Sequence, residues 1–403
     1  MNNVMPSTSR ALLLSLIALV LFSPVGIDIY LPAVPNLIDH FKAQQDQVQN
    51  TITVFLLAMG LGQLVIGPLA DHWGRRYIAL MGIILYGVSS VLAVSVSSIT
   101  EFMWVRAVQG FAACCTSVAA FAIVRDCFSG QQSAAAYSYM LGAINLAPAL
   151  APLLGGLLIA QWGWQACFYA LAIYALLVVV LVNYGLPETK PAFSEPIHQV
   201  LTSYRRIISH KGFQYYSCCC LAAMTMILAY VTWSPVVLIK QAGFSKLAYG
   251  ALFGMNALWI LLTSMTAPWL IQRIGQHHCT LIGLLLMVCA GLLMLASGSL
   301  GLSLAVSLMM PVGMACVGFA LILGSATSLA LAPFAECAGT AAAMLGCVQM
   351  VGASLLVMVM TQLTIPPLVL LAVVMLMMGG IPLLLSQRNL TITADSGMRS
   401  AGG

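Results

Sequence analysis

The chain has 403 residues, of which 61% are hydrophobic and 6% charged, with a formal net charge of +5. A soluble domain is about a quarter charged, so no water-soluble core hides this much apolar surface, and no basic cluster concentrates the net charge into a nucleic-acid surface. What remains is a chain that crosses a membrane many times.

A hydrocarbon layer about 30 Å thick takes about 20 apolar residues of helix to cross. Twelve runs qualify, near residues 11–31, 48–70, 77–96, 100–122, 134–159, 164–186, 213–238, 247–271, 278–297, 301–331, 339–362 and 366–386. The first follows Arg10 and shows no small-residue cleavage site before Asp28 and Tyr30, so it is expected to stay as the first helix. The polar stretch 187–212, with Lys190, Glu195, Pro196, Arg205, Arg206 and Lys211, divides the spans six and six. The expected organisation is a six-helix bundle over 1–186, a cytoplasmic linker over 187–212, a second bundle over 213–388 and a flexible cytoplasmic tail over 389–403.

Cytoplasmic loops carry the surplus of Lys and Arg. With the N-terminus inside, Arg10, Arg75, Arg76, Arg125, Lys190, Arg205, Arg206, Lys211, Arg273, Arg388 and Arg399 fall in the cytoplasm, against Lys42, Lys240 and Lys246 outside. All twelve cysteines lie in spans or at cytoplasmic ends and are expected as free thiols. The run Cys218, Cys219 and Cys220 fits no tetrahedral metal pattern, because adjacent helix positions point about 100° apart. His277 and His278 read as solvated loop residues. No metal or organic cofactor is expected.

The polar punctuation of the spans has its own chemistry. The first span closes on G-I-D-I-Y-L-P-A-V-P at 26–35, which puts Asp28 about 27 Å up the helix from Arg10. Between the second and third spans stands G-P-L-A-D-H-W-G-R-R at 67–76. There Gly67 and Gly74 permit a tight turn, Asp71 can accept from an opposing helix N-terminus, and Arg75 and Arg76 hold the loop inside. The fourth span opens on Glu101, which reads as a cap. It places Arg106 about 9 Å below the outer surface, and its inner end carries Arg125 and Asp126, the latter expected to join Asp71 in a latch between the halves. In the fifth span Pro148 and Pro152 weaken the helix ladder, while Gly155 and Gly156 allow close packing.

The halves also echo each other: M-L-G-A-I-N at 140–145 recurs as M-L-G-C-V-Q at 344–349, and Pro68 and Gly74 have counterparts in Pro268 and Gly275. Such internal repeats are common in transporters. A catalytic reading has no support, since no H-E-x-x-H, G-x-S-x-G or phosphate-binding G-x-x-x-x-G-K-[ST] occurs.

These segments carry a family resemblance. The loop at 67–76 resembles the signature loop of the major facilitator superfamily, G-x-L-a-D-r-x-G-r-k, and V-R-A-V-Q-G-F-A-A at 105–113 resembles its R-x-x-q-G segment. The stretch A-P-A-L-A-P-L-L-G-G at 147–156 is similar to the G-x-x-x-G-P-x-x-G-G element of drug:proton antiporters; Gly142 and Pro152 align with it and Ala151 replaces its central glycine. The decapeptide at 26–35, with V-R-D at 124–126 and W-Q-A-C-F at 164–168, resembles the Bcr/CflA exporters of bicyclomycin- and chloramphenicol-type drugs.

The resemblance implies an all-α fold of twelve transmembrane helices in two pseudo-symmetric six-helix bundles, in a bacterial inner membrane with both termini cytoplasmic. It implies proton-coupled antiport that exports small hydrophobic compounds by alternating access, with the lipid bilayer and a small-molecule substrate as partners and a monomeric chain. Gating falls to Gly67, Asp71, Gly74, Arg75, Arg76, Arg125, Asp126, Pro148, Pro152, Gly155 and Gly156.

A charge within a span marks a candidate functional site. Asp28 and Arg106 share the outer half of the membrane and would meet if their helices are neighbours. A buried carboxylate holds its proton and a nearby guanidinium favours its release, so the pair is the candidate proton-coupling site, with Arg106 setting the proton affinity. The other reading is that Asp28 bonds a helix end with Arg106 as packing partner. A cavity between the bundles is expected to offer Tyr30, Tyr137, Asn145, Tyr230, Trp233, Asn256 and Gln349 to an uncharged or weakly cationic aromatic substrate. An uptake transporter coupled to H⁺ or Na⁺ would share the fold and most of these motifs.

Overall fold

The computed structural model describes residues 7–189 and 197–400. Lys190, Glu195 and Pro196 of the expected linker lie outside the described residues, as do 401–403. Among the described residues, twelve helices are long and apolar enough to cross a membrane, and they fall on the twelve runs read from the sequence. The first span is broken, α1 (Ser7–Asp28) continuing through a 3₁₀ turn (Leu31–Ala33) into α2 (Val34–Phe41). Then follow α3 (Gln45–Trp73), α4 (Arg75–Ser95), α5 (Ile99–Cys127), α6 (Gly130–Trp162) and α7 (Gln165–Gly185). The second half holds α9 (Lys211–Pro235), α10 (Lys246–Ile274), α11 (Gln276–Ser299), α12 (Leu304–Leu331), α13 (Ala338–Thr361) and α14 (Pro367–Ser400).

Two regions differ from expectation. The polar linker carries a helix, α8 (Ile197–Ser209), whose residues pack against α13 and α9. The stretch expected as a flexible tail continues α14 as far as Ser400, because extending a formed helix fixes one residue per added hydrogen bond whereas starting one fixes three.

The repeat read from the sequence has a backbone counterpart. Gly74, joining α3 to α4, has φ 101° and ψ 145°, and Gly275, joining α10 to α11, has φ 83° and ψ 157°. Each joint therefore needs a conformation that a side chain disfavours. Pro68 and Pro268 lie inside the helices that lead into these joints.

The two halves meet along two seams. On the α3–α13 seam Gln362 Nε2 donates to Asp46 at 3.3 Å and Thr361 Oγ1 to Asn50 Oδ1 at 3.1 Å. Gly60 then lies against Met350 and Val351, and Gln63 against Gly346. One turn further along the same face, a Cβ added at Gly67 would meet nothing within 4 Å. On the α6–α10 seam Gly156 abuts Lys246, Leu153 abuts Gly250 and Ala149 abuts Gly254, whereas at Gly142 a Cβ would again meet nothing within 4 Å. The halves are thus zipped at the end remote from the chain termini and part toward the terminal end. There Arg125 Nη1 lies 3.0 Å from where a Cβ of Gly339 would stand, a thin contact across the mouth.

Candidate functional site

The prolines of 26–35 build the first part of the site. Pro32 has no N–H to give the carbonyl of Asp28, four residues back, so the α-helical ladder stops there. Ile29 still bonds Val25 at 3.1 Å, and Ala33 bonds Tyr30 at 2.8 Å in the tighter 3₁₀ turn. Gly155 lets α6 close on this break, because a Cβ there would collide with the carbonyl oxygen of Ile29. The thiol of Cys167 donates to that same oxygen at 3.4 Å. The break holds Asp28 buried at 5% exposure and within electrostatic range of Tyr230 and Tyr249 of the second half.

Arg106 is fully buried on α5. Its guanidinium lies between the rings of Tyr30 and Phe55, with Cζ 4.5 Å from each centroid, an arrangement worth about 2 kcal/mol or more when desolvated. Nη1 donates to Gln109 Oε1 at 2.6 Å, Gln109 Nε2 to Ser90 Oγ at 2.8 Å, and Ser90 Oγ to the carbonyl of Tyr86 at 2.7 Å. Nε and Nη2 have no hydrogen-bond partner among the described residues. Buried unpaired donors each cost on the order of 1–3 kcal/mol, so two nitrogens of this side chain are open to an acceptor. Helices α1 and α5 are neighbours, as the depth argument required. The two charges nevertheless do not pair: among the described residues the ion pairs join Arg75 to Asp71 and Asp126, and Arg125 to Asp126. Asp28 lies within electrostatic range of Tyr230 and Tyr249 of the second half, while Arg106 is bonded to Gln109 and packed on Tyr30 and Phe55 of the first.

Of the seven candidate substrate residues, Tyr230 and Asn256 meet directly. Tyr230 stacks on Phe253 with centroids 5.1 Å apart and accepts from Asn256 Nδ2 at 3.3 Å, leaving Asn256 Oδ1 buried with no hydrogen-bond partner among the described residues. Tyr30 is the ring under Arg106, and its hydroxyl shares a 3.1 Å hydrogen bond with Thr51. The rest are spread in depth. Trp233 lines a polar outer crevice of about 390 Å³ with Gln44, Asp46, Gln49 and Gln362. Asn145 is half-buried midway along α6 and Gln349 lies beside Cys220. Tyr137 stacks on Phe121 toward the terminal end, where its hydroxyl donates to the Phe121 carbonyl at 3.3 Å. A single compact pocket does not hold all seven in this conformation.

Residues that the sequence reading passed over complete the closed end. Gln49 Nε2 donates to the carbonyl of Thr232 at 3.1 Å across the halves, and Ser234 shares a 3.1 Å bond with Tyr249. Their only sequence signal is a polar side chain in an apolar run, which many packing residues share.

The signature loop corrects the reading of Asp71. Asp71 and Asp126 both bind the side chain of buried Arg75, Asp71 Oδ1 at 2.8 Å from Nη1 and Asp126 at Nε. All three residues belong to the first half, so the carboxylates clasp α3, α4 and α5 together and do not latch one half to the other. The acid at the N-terminus of α4 is Glu188, which accepts from the backbone N–H of Arg76 at 3.3 Å, while Arg76 Nη2 donates to Asn183. Asp71 is 37% exposed, so its ion pair adds about 1 kcal/mol or less to stability. Asp71→Asn is therefore expected to leave the melting temperature within a degree or two of wild type. It should slow turnover more than it weakens substrate binding, because the clasp sets the angle of α3 and α4; unchanged turnover would remove the loop from the gating machinery.

Glu101 behaves as expected, accepting from the backbone N–H groups of Ser97 at 3.0 Å and Ser98 at 3.3 Å while Ser98 Oγ accepts from Glu101 N at 3.2 Å, a capping box. The twelve cysteines are free. His277 departs from a solvated loop residue: it begins α11, packs against Tyr215 and Tyr216, and its Nδ1 lies 3.2 Å from the Tyr216 hydroxyl.

Two six-helix halves joined by a linker, meeting along two seams and enclosing isolated charges, define a membrane transporter. The profile of the Major Facilitator Superfamily matches residues 16–357, and the chain belongs to that superfamily. It is therefore a multi-pass membrane protein that moves small molecules. Among curated relatives it is 32% identical over 345 residues to the multidrug resistance protein MdtL of Klebsiella pneumoniae, covering 85% of this chain and 86% of the relative. To the MdtL of Shewanella oneidensis it is 33% identical over 357 residues, covering 88% and 89%. Among solved structures, a bacterial homologue of the human lysosomal transporter Spinster, inward-facing and occupied, superposes with a TM-score of 0.77 at 15% identity, over 95% of this chain and 98% of that one. A D-xylose–proton symporter gives 0.74 at 15% identity, over 93% and 96%. At that identity the structural likeness speaks for the fold alone.

Proposed function

We propose that this protein exports small, hydrophobic, drug-like compounds across a bacterial inner membrane in exchange for protons, by alternating access and as a monomer. The surplus of Lys and Arg supports the terminal end as cytoplasmic, so the seams that are zipped at the opposite end make this an inward-facing arrangement. The multidrug resistance relatives support the substrate class.

The observation that carries the coupling is Asp28: a buried carboxyl on a helix break, with no ion-pair partner among the described residues and within electrostatic range of Tyr230 of the second half. A carboxylate there would be a buried charge with no counter-ion, at the negative end of α1, so a proton keeps this arrangement neutral. When the outer seams unzip, Asp28 parts from Tyr230 and Tyr249 and meets periplasmic water, from which it takes its proton as substrate leaves. Arg106, with two open donors beside Tyr30, adjusts the proton affinity and offers the cavity a hydrogen-bond donor for substrate. Substrate and proton thus compete for one state of the carrier.

The test is reconstitution in liposomes with a pH-sensitive dye inside. Under an imposed proton gradient, a panel of phenicols, sulfonamides and lipophilic cations is expected to contain compounds that trigger proton movement opposite to their own. Compound movement together with the proton would make the chain an uptake transporter, and binding without proton movement would reject proton coupling.

A further inference from the structure

Pro68 lies inside α3. Lacking an N–H, it leaves the carbonyl of Leu64, four residues earlier, without its helical partner. That carbonyl sits where the α3–α13 seam parts, one residue below the last contact of Gln63 with Gly346 and one turn above open Gly67. It is filled from outside both bundles: Tyr204 of the linker helix α8 donates its hydroxyl to Leu64 O at 3.1 Å. The same tyrosine is within electrostatic range of the Cys347 thiol of α13, and α8 packs against that helix. Burial, with the Cys347 thiol beside it, pushes the phenol above its ordinary pKa, so it remains a donor across the physiological range.

We propose that Tyr204 is a conformational pin: it caps the carbonyl that Pro68 frees and stands in the fork between α3 and α13, holding the two halves apart at the terminal end. Closing that end brings α3 and α13 together where the ring stands, so the pin must withdraw and the Leu64 carbonyl must lose its partner in every cycle. The linker, which has no other evident role than joining the halves, thereby biases which side of the transporter is open. This rests on the alternating-access reading above, but the pin itself is a property of the resting equilibrium and is measured without substrate.

Hydrogen–deuterium exchange of the full chain in nanodiscs tests it. Tyr204→Phe keeps the ring and removes the bond. It is expected to speed exchange about fivefold at the outer ends of the seam, residues 45–52 and 358–365, and to slow it around 338–347, the size of shift that one net hydrogen bond produces. Pro68→Ala returns an N–H to Leu64, so in that background Tyr204→Phe should have no further effect. Unchanged exchange in Tyr204→Phe, or effects of the two substitutions that add, would overturn the pin. Tyr204→Phe alone decides the first point if Pro68→Ala does not fold. An exchange shift in a protein that drives no compound-dependent proton movement would leave the pin standing and defeat the proposed function instead.

Discussion

Asp28→Asn is expected to abolish compound-triggered proton movement while leaving the protein folded and able to bind its substrates. The substitution keeps the shape of the carboxyl and imitates its protonated form. Because Asp28 is buried without an ion-pair partner, replacing it removes a potential buried charge and breaks no salt bridge. The melting temperature in detergent should equal or exceed that of wild type. Exchange of labelled for unlabelled compound across the liposome, which needs no net proton transfer, should persist and lose its dependence on pH. If Asp28 serves only to bond a helix end, asparagine does that equally well, and retained proton movement would end its candidacy as the proton carrier.

Gly155→Val is expected to have the largest structural effect of any single change in the gating set. A Cβ at Gly155 would fall on the carbonyl oxygen of Ile29, and backbone on both sides of the contact leaves no flexible group to yield. Overpacking of this kind costs about 1–3 kcal/mol or more. It would also displace the break that holds Asp28, so both melting temperature and coupled transport should fall. Gly67→Ala is the matched control. It alters an equally prominent glycine of the signature loop, where nothing lies within 4 Å, and a helix interior gains up to about 1 kcal/mol from alanine. Its melting temperature should hold or rise. If Gly155→Val melted and transported like wild type, the close approach of α6 to the break in the first span would not matter to the protein.

The gating glycines and prolines named together in the sequence thus do different work. Gly74 is required by a backbone angle and Gly155 by a collision, whereas Gly67 and Gly142 mark where the two seams open. Motif membership does not separate these roles, because each depends on what the rest of the chain brings opposite the residue.

The spans, their number, the division six and six and the pairing of Pro68–Gly74 with Pro268–Gly275 were all legible in the sequence. Each follows from local rules: about 20 apolar residues to cross a bilayer, a proline that ends a hydrogen-bond ladder, a glycine that accepts positive φ. That Asp28 and Arg106 are charges buried within spans was also legible, since a lone charge in an apolar run stands out against its neighbours. Tertiary structure alone decided their relation. It buried Asp28 within electrostatic range of Tyr230 and Tyr249, gave Arg106 to Tyr30, Phe55 and Gln109, joined Asp71 to Asp126 through Arg75 inside one half, and carried Tyr204 from a polar linker into the seam. Crossing a membrane is a property of one segment at a time, whereas a buried charge takes its partners from whichever helices pack around it, as Arg106 takes Tyr30, 76 residues away in the chain.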